Sequence, residues 1–180
     1  MDKLDLSKKR VMHIDTSGKL YERKDTGIAY KIINRGEHKG LVLSIKSKKG
    51  LRKNLKIHKD FPRMYAICIY YLIKDNLDDF DILVICADEN FSHVKRYLDL
   101  LFKDENKYSK KDIISIYQLR KISGNKSLKS YADGIANSYR RRGLKSISKK
   151  QEGIPLNVFD INYIKIKDKW LEINEKLKNK

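Results

Sequence analysis

The sequence is poor in the residues that define several protein classes. It has 2 cysteines in 180 residues, Cys68 and Cys86, each inside an apolar run and without the clustered spacing of a zinc site or disulfide framework. Both read as buried free thiols, which suits a reducing cytoplasm. Only 2 prolines and 9 glycines occur, which excludes collagen-like and Pro/Gly-rich low-complexity chains. No window approaches the roughly 20 apolar residues that span a bilayer, and the opening Met1-Asp2-Lys3-Leu4-Asp5 has no apolar signal core. Neither membrane insertion nor export is expected. Acids are scarce as well: 23 Asp and Glu stand against 41 Lys and Arg, a net charge of +18. A surplus of that size points to a polyanionic partner, nucleic acid first.

What is present suffices for one compact domain, because 41% of the residues are hydrophobic. Lys9 to Leu20 carries β-formers closed by Ser17-Gly18, and Thr26 to Ile33 is a second β-like run ended by Asn34-Arg35-Gly36. Gly40 to Ile45 makes a third strand, so the chain opens with an antiparallel meander. Residues 46 to 59 hold Lys46, Lys48, Lys49, Arg52, Lys53, Lys56 and Lys59 and no acid, a composition read here as a solvated loop. Asp60 and Pro62 suit the N-cap and first turn of a helix running from Arg63 to Asn76. Phe80 to Ala87 has the continuous apolar character of a strand covered on both faces. Phe91, Val94, Tyr97, Leu98 and Leu101 follow at helical spacing, Ile113 to Leu119 reads as a fifth strand, and Ser130 to Arg142 as a helix stopped by Gly143. A last helix carries the apolar stripe Trp170, Ile173 and Leu177, suited to packing on the domain or on a protein partner.

Three acids fall at informative places in this order: Asp15 near the end of the first strand, Asp88 just past the fourth, and Asp133 in the opening turn of the penultimate helix. Taken singly, each suits a turn or an N-cap. Their surroundings carry more. Asp15-Thr16-Ser17-Gly18, Thr26-Gly27-Ile28-Ala29-Tyr30, Arg63-Met64, Ile85-Cys86-Ala87-Asp88-Glu89 and Gly124-Asn125 followed by Ala132-Asp133-Gly134-Ile135-Ala136-Asn137 occur in sequence in residues 9–142. In order and spacing these motifs resemble type 1 ribonuclease H, in a divergent form.

The resemblance implies an α/β fold: a mixed five-stranded sheet, three antiparallel strands then parallel ones, flanked by helices. Residues 9–142 would form that domain, and 143–180 a basic connector with an amphipathic helix. It also implies a metal-dependent nuclease that hydrolyses the RNA strand of RNA/DNA hybrids or a related structured nucleic acid. Asp15 would bridge two Mg²⁺ or Mn²⁺ ions, Asp88 hold one and Asp133 the other. Hard carboxylate oxygens favour those ions, and two metals roughly 4 Å apart stabilise the attacking and leaving oxygens of phosphodiester hydrolysis. One departure stands out. The family's active members place a metal-binding Glu directly after Arg63-Met64, whereas this chain has Tyr65, with no acid between Phe61 and Lys74. A catalytically weakened or inactive nucleic-acid-binding module on the same fold therefore stays open beside the nuclease. His13 shares a strand face with Asp15 by alternation and reads as a packed histidine. Phosphate contacts are expected from Lys46, Lys48, Lys49, Arg52, Lys53 and Lys56, and from the second acid-free run, Arg140, Arg141 and Arg142 with Lys145, Lys149 and Lys150.

Overall fold

The computed structural model describes residues 8–33, 35–55, 60–86, 89–142, 158–161 and 163–179. Strands β1 (Val11–Ser17), β2 (Thr26–Ile32) and β3 (His38–Leu43) form the antiparallel meander. Helices α1 (Ile45–Leu55) and α2 (Phe61–Ile73) come next, then β4 (Ile82–Ile85), which pairs parallel with β1. After α3 (Phe91–Leu101) and the single turn α4 (Asn106–Ser109), β5 (Asp112–Ser115) pairs parallel with β4. The chain continues through α5 (Ile116–Ser123), α6 (Asp133–Arg142), β6 (Val158–Asp160) and α7 (Tyr163–Lys178). The order 3-2-1-4-5, three antiparallel strands followed by parallel ones with helices on both faces, is the ribonuclease H-like topology. A sixth strand extends it, because β6 pairs parallel with the outer edge of β3.

Strand alternation divides the core in two. Met12 and Ile14 of β1, Ile28 and Tyr30 of β2 and Leu83 and Ile85 of β4 face the layer built by α2, α3 and α7. Val11, Ile82 and Val84 face α5, while Ala29 and Val42 face α6. Helix α2 is apolar nearly all round, which fits its place between the sheet and two further helices. Its start follows from residue chemistry: Asp60 accepts a hydrogen bond from the Arg63 N–H, and Pro62 sits where a missing N–H costs nothing. Tyr65 is fully buried within this layer.

Helix α6 lies unusually close to the sheet, and two glycines allow it. A Cβ on Gly27 would stand 2.2 Å from the Ala136 carbonyl oxygen, and one on Gly40 2.6 Å from the Tyr139 ring.

Two stretches differ from the sequence reading, and a third takes one of the two uses expected of it. The lysine-rich run is a helix for residues 45–55 because its first turn is capped twice: Ser44 Oγ accepts from the Ser47 N–H at 3.1 Å, and Asp25 Oδ1 from the Ile45 N–H at 2.8 Å. Its buried Leu51 joins the main core. The expected strand 113–119 ends at Ser115, where a capping box with Gln118 turns the chain into α5. The C-terminal stripe is used internally: Trp170 and Ile173 are buried, Leu177 packs against the same core, and the Arg63 guanidinium lies 4.3 Å from the Trp170 ring centroid. Gly143 and the connector that follows it lie outside the described residues. Among the described residues, no helix is long and apolar enough to cross a membrane.

Candidate functional site

The C-terminal end of β1 is where separate parts of the chain converge. Val11, His13, Asp15 and Ser17 alternate toward the α5 and α6 face, and β4 runs alongside, with the Cys86 N–H donating to the Ile14 carbonyl at 2.9 Å. That register sets the Cys86 side chain against the Asp15 carboxylate. On the other flank, Ser17 Oγ bonds Asn137 of α6 at 3.3 Å.

Asp15 is 5% exposed. Burial pushes its carboxyl above the ordinary value, opposed by hydrogen bonds from Cys86, the Thr16 N–H at 2.7 Å and Ser130; the nearby charge of Asp133 pushes it further up. Asp133 opens α6 and is exposed. Two carboxylates from distant parts of the chain thus share one corner, and Asp88 follows two residues after Cys86. Asp88 itself lies outside the described residues.

The donor chemistry of Asp15 and Asp133 fits a divalent cation: hard oxygens, like charges close together, and a buried carboxylate whose ionised form a cation favours. The position after Arg63-Met64 supplies no such oxygen, since Tyr65 is enclosed in the layer on the opposite face of the sheet. Among the described residues, no group of three or more His, Cys, Asp and Glu is placed to hold a metal.

No protein-family model, curated protein or solved structure matches this chain. Its chemistry has to be read from its own residues.

The two basic segments flank the turn that follows Asp15, residues 18–25. Helix α1 lines a groove of about 590 Å³ with Ile45, Lys48, Lys49, Arg52 and Lys53, the repeat of one helix face, and Glu22 and Arg23 of the turn form the opposite wall. Lys46, Lys49 and Lys53 are exposed, and Arg52 donates to the Tyr21 carbonyl at 2.6 Å. Lys48 departs from the expected phosphate-facing role. It is 3% exposed, and its ammonium donates to the carbonyls of Lys19, Glu22 and Lys24 and to Thr26 Oγ1, at 3.1, 3.3, 2.7 and 2.6 Å. Burial lowers its pKa to about 8. Lys48 holds the turn to α1.

Arg140 is half-buried on α6 and lies against Gly18, while Arg141 is exposed. Lys56 and the side chain of Arg142 lie outside the described residues, as do Lys145, Lys149 and Lys150.

Sequence reasoning missed Ser130 and Cys86 as partners of Asp15. Each had a signal: Cys86 lies in the apolar run two residues ahead of Asp88, and Ser130 stands three residues ahead of Asp133. It also missed Arg23, whose place in the groove depends on a turn folding toward α1. His13 is fully buried, and desolvation lowers its pKa to about 4, so it is a neutral, packed histidine.

Proposed function

We propose that this chain is a divergent ribonuclease H-like, metal-dependent nuclease acting on the RNA strand of RNA/DNA hybrids or on a related structured nucleic acid. The observation that carries this reading is the meeting of Asp15 and Asp133 at the end of β1, beside the strand that leads to Asp88. Asp15, Asp88 and Asp133 would hold Mg²⁺ or Mn²⁺, which when bound supply an activated water and neutralise charge on the scissile phosphate. The chain's own residues supply the rest. Thr16, Ser130 and Cys86 fix the Asp15 carboxylate, and the cations of α1 and Arg140 flank the turn that follows β1, where they would hold phosphates of a bound strand.

Cleavage of a labelled hybrid in Mn²⁺ tests the reading. Turnover that disappears in Asp15→Asn, Asp88→Asn and Asp133→Asn supports it, and cleavage untouched by these changes refutes it.

A second reading, a nucleic-acid-binding module without turnover, is favoured by the burial of Tyr65 where a metal-binding Glu would stand. It predicts steeply salt-dependent binding of a hybrid or duplex that is left intact in Mn²⁺.

A further inference from the structure

A second concavity opens on the α5 and α6 face, of about 210 Å³, lined by Lys9, Val11, His13, Ile33, Leu119, Ser123, Leu128 and Tyr131. Its floor carries an unusual group. His13 Nδ1 accepts a hydrogen bond from the Tyr131 backbone N–H at 3.4 Å, which places the ring proton of the neutral imidazole on Nε2. That Nε2 is buried and, among the described residues, has no hydrogen-bond partner. A buried donor left unsatisfied is costly, and in a pocket it marks the place of an acceptor from outside the chain. The Tyr131 ring, 51% exposed, lies edge-on to the imidazole at 5.2 Å.

The surroundings indicate which acceptor fits. Val11, Ile33, Leu119 and Leu128 form apolar walls, and an aromatic ring stands beside the donor. Residues 116–132, which run along the pocket, contain Arg120, Lys121, Lys126 and Lys129 and no acid, and Lys9 adds a cation at the rim. His13 lies two residues from Asp15 on the same strand face, about 7 Å along the strand. Flat, apolar-faced, acceptor-bearing and joined to phosphates describes a nucleobase.

We propose that this pocket receives one unpaired base of a bound nucleic acid, with His13 Nε2–H donating to a ring nitrogen or carbonyl oxygen and Tyr131 turning aside to stack on the base. The proposal rests on the nucleic-acid reading of the carboxylate corner and adds a preference for strands with a bulged or unpaired nucleotide beside it.

The test is binding in EDTA, so that cleavage plays no part. Two RNA/DNA hybrids are compared, one with a single bulged 2-aminopurine and one with an abasic residue at the same place. The base-bearing hybrid is expected to bind about tenfold more tightly, with altered 2-aminopurine emission. His13→Phe, which keeps the volume and removes the donor, and Leu128→Trp, which fills the pocket, are expected to erase that difference while leaving affinity for the abasic hybrid unchanged. Equal affinity for the two hybrids overturns the pocket and leaves general nucleic-acid binding intact, and so does a preference that survives both substitutions. If neither hybrid binds, the nucleic-acid reading fails; titration with free uridine, followed at the ¹⁵N resonances of the His13 ring, then decides the pocket alone. A saturable shift that Leu128→Trp abolishes supports it, and an unmoved resonance overturns it.

Discussion

Gly27→Ala probes the contact that sets α6, and with it Asp133, against the sheet. The new Cβ would lie 2.2 Å from the Ala136 carbonyl oxygen and 2.7 Å from the Arg140 backbone nitrogen. The first distance is about 1 Å short of the ~3.3 Å at which carbon and oxygen make close contact. Both obstacles are backbone, so no side chain can rotate away. Either α6 moves outward by about that amount, or β2 yields between its partners β1 and β3. Overpacking of this kind costs about 1–3 kcal/mol where side chains share the strain, and the upper part of that range is expected here. For a domain of this size each kcal/mol lowers Tm by roughly 2–4 °C, so the fall should be roughly 6–12 °C. Urea titration and thermal melts followed by circular dichroism measure it. A variant within 0.5 kcal/mol of the parent would show that α6 does not sit as described, and the meeting of Asp15 and Asp133 would lose its support.

Four further substitutions have outcomes that follow from the structure. Burial raises the Asp15 carboxyl, so the folded state favours its protonated form; that contribution is complete below the unfolded-state value of about 4 and disappears as pH rises through the folded one. Asp15→Asn is therefore expected to melt higher than the parent at pH 7 in EDTA, and a lower melting point would contradict the burial argument. Lys48→Met strands the carbonyls that the ammonium now satisfies and should cost about 2 kcal/mol in urea unfolding without changing the salt dependence of nucleic-acid binding. Because the folded Lys48 loses its proton near pH 8 and the unfolded one near 10.5, the parent should gain stability relative to this variant between those values. Exposed Lys53→Gln should do the reverse, leaving stability unchanged and reducing the salt slope by about 0.9; a slope that instead tracks Lys48 would refute the division of roles. Tyr65→Glu places a carboxylate in a fully enclosed apolar layer and should destabilise by several kcal/mol in chemical unfolding. A stable variant with increased Mn²⁺-dependent cleavage would mean that this position faces the acidic corner after all.

Much of the architecture was legible because local chemistry and tertiary need coincide. Asp60 and Pro62 announce α2, and the run around Ile82–Ile85 announces a central strand, for reasons that hold whatever the rest of the chain does. Helix α1 was hidden because a cap from Asp25, twenty residues upstream, helps to start it, and Ile45, Leu51 and Leu55 among its lysines give little periodicity. The Ser115–Gln118 capping box was visible in the sequence and was outweighed by the apolar, β-branched character of the run around it. Strand β6 has three residues and exists through its pairing with β3. At the site, Asp15 and Asp133 could be named from motif order, while the burial of Lys48 could not. Composition counts a cation without saying whether water or carbonyl oxygens surround it.

The six-stranded sheet terminates on one side in β6, three residues long, and on the other in β5, four residues long. A rim that brief offers a stray β-segment too few backbone donors and acceptors to zip onto, and Asp112 adds a charge at one of them. The longer strands β1, β2 and β3 and the wholly apolar β4 are all interior, shielded from lateral recruitment. Concentrated solutions of the folded protein should therefore resist fibril growth by strand addition, even though its most β-prone stretches are strongly hydrophobic.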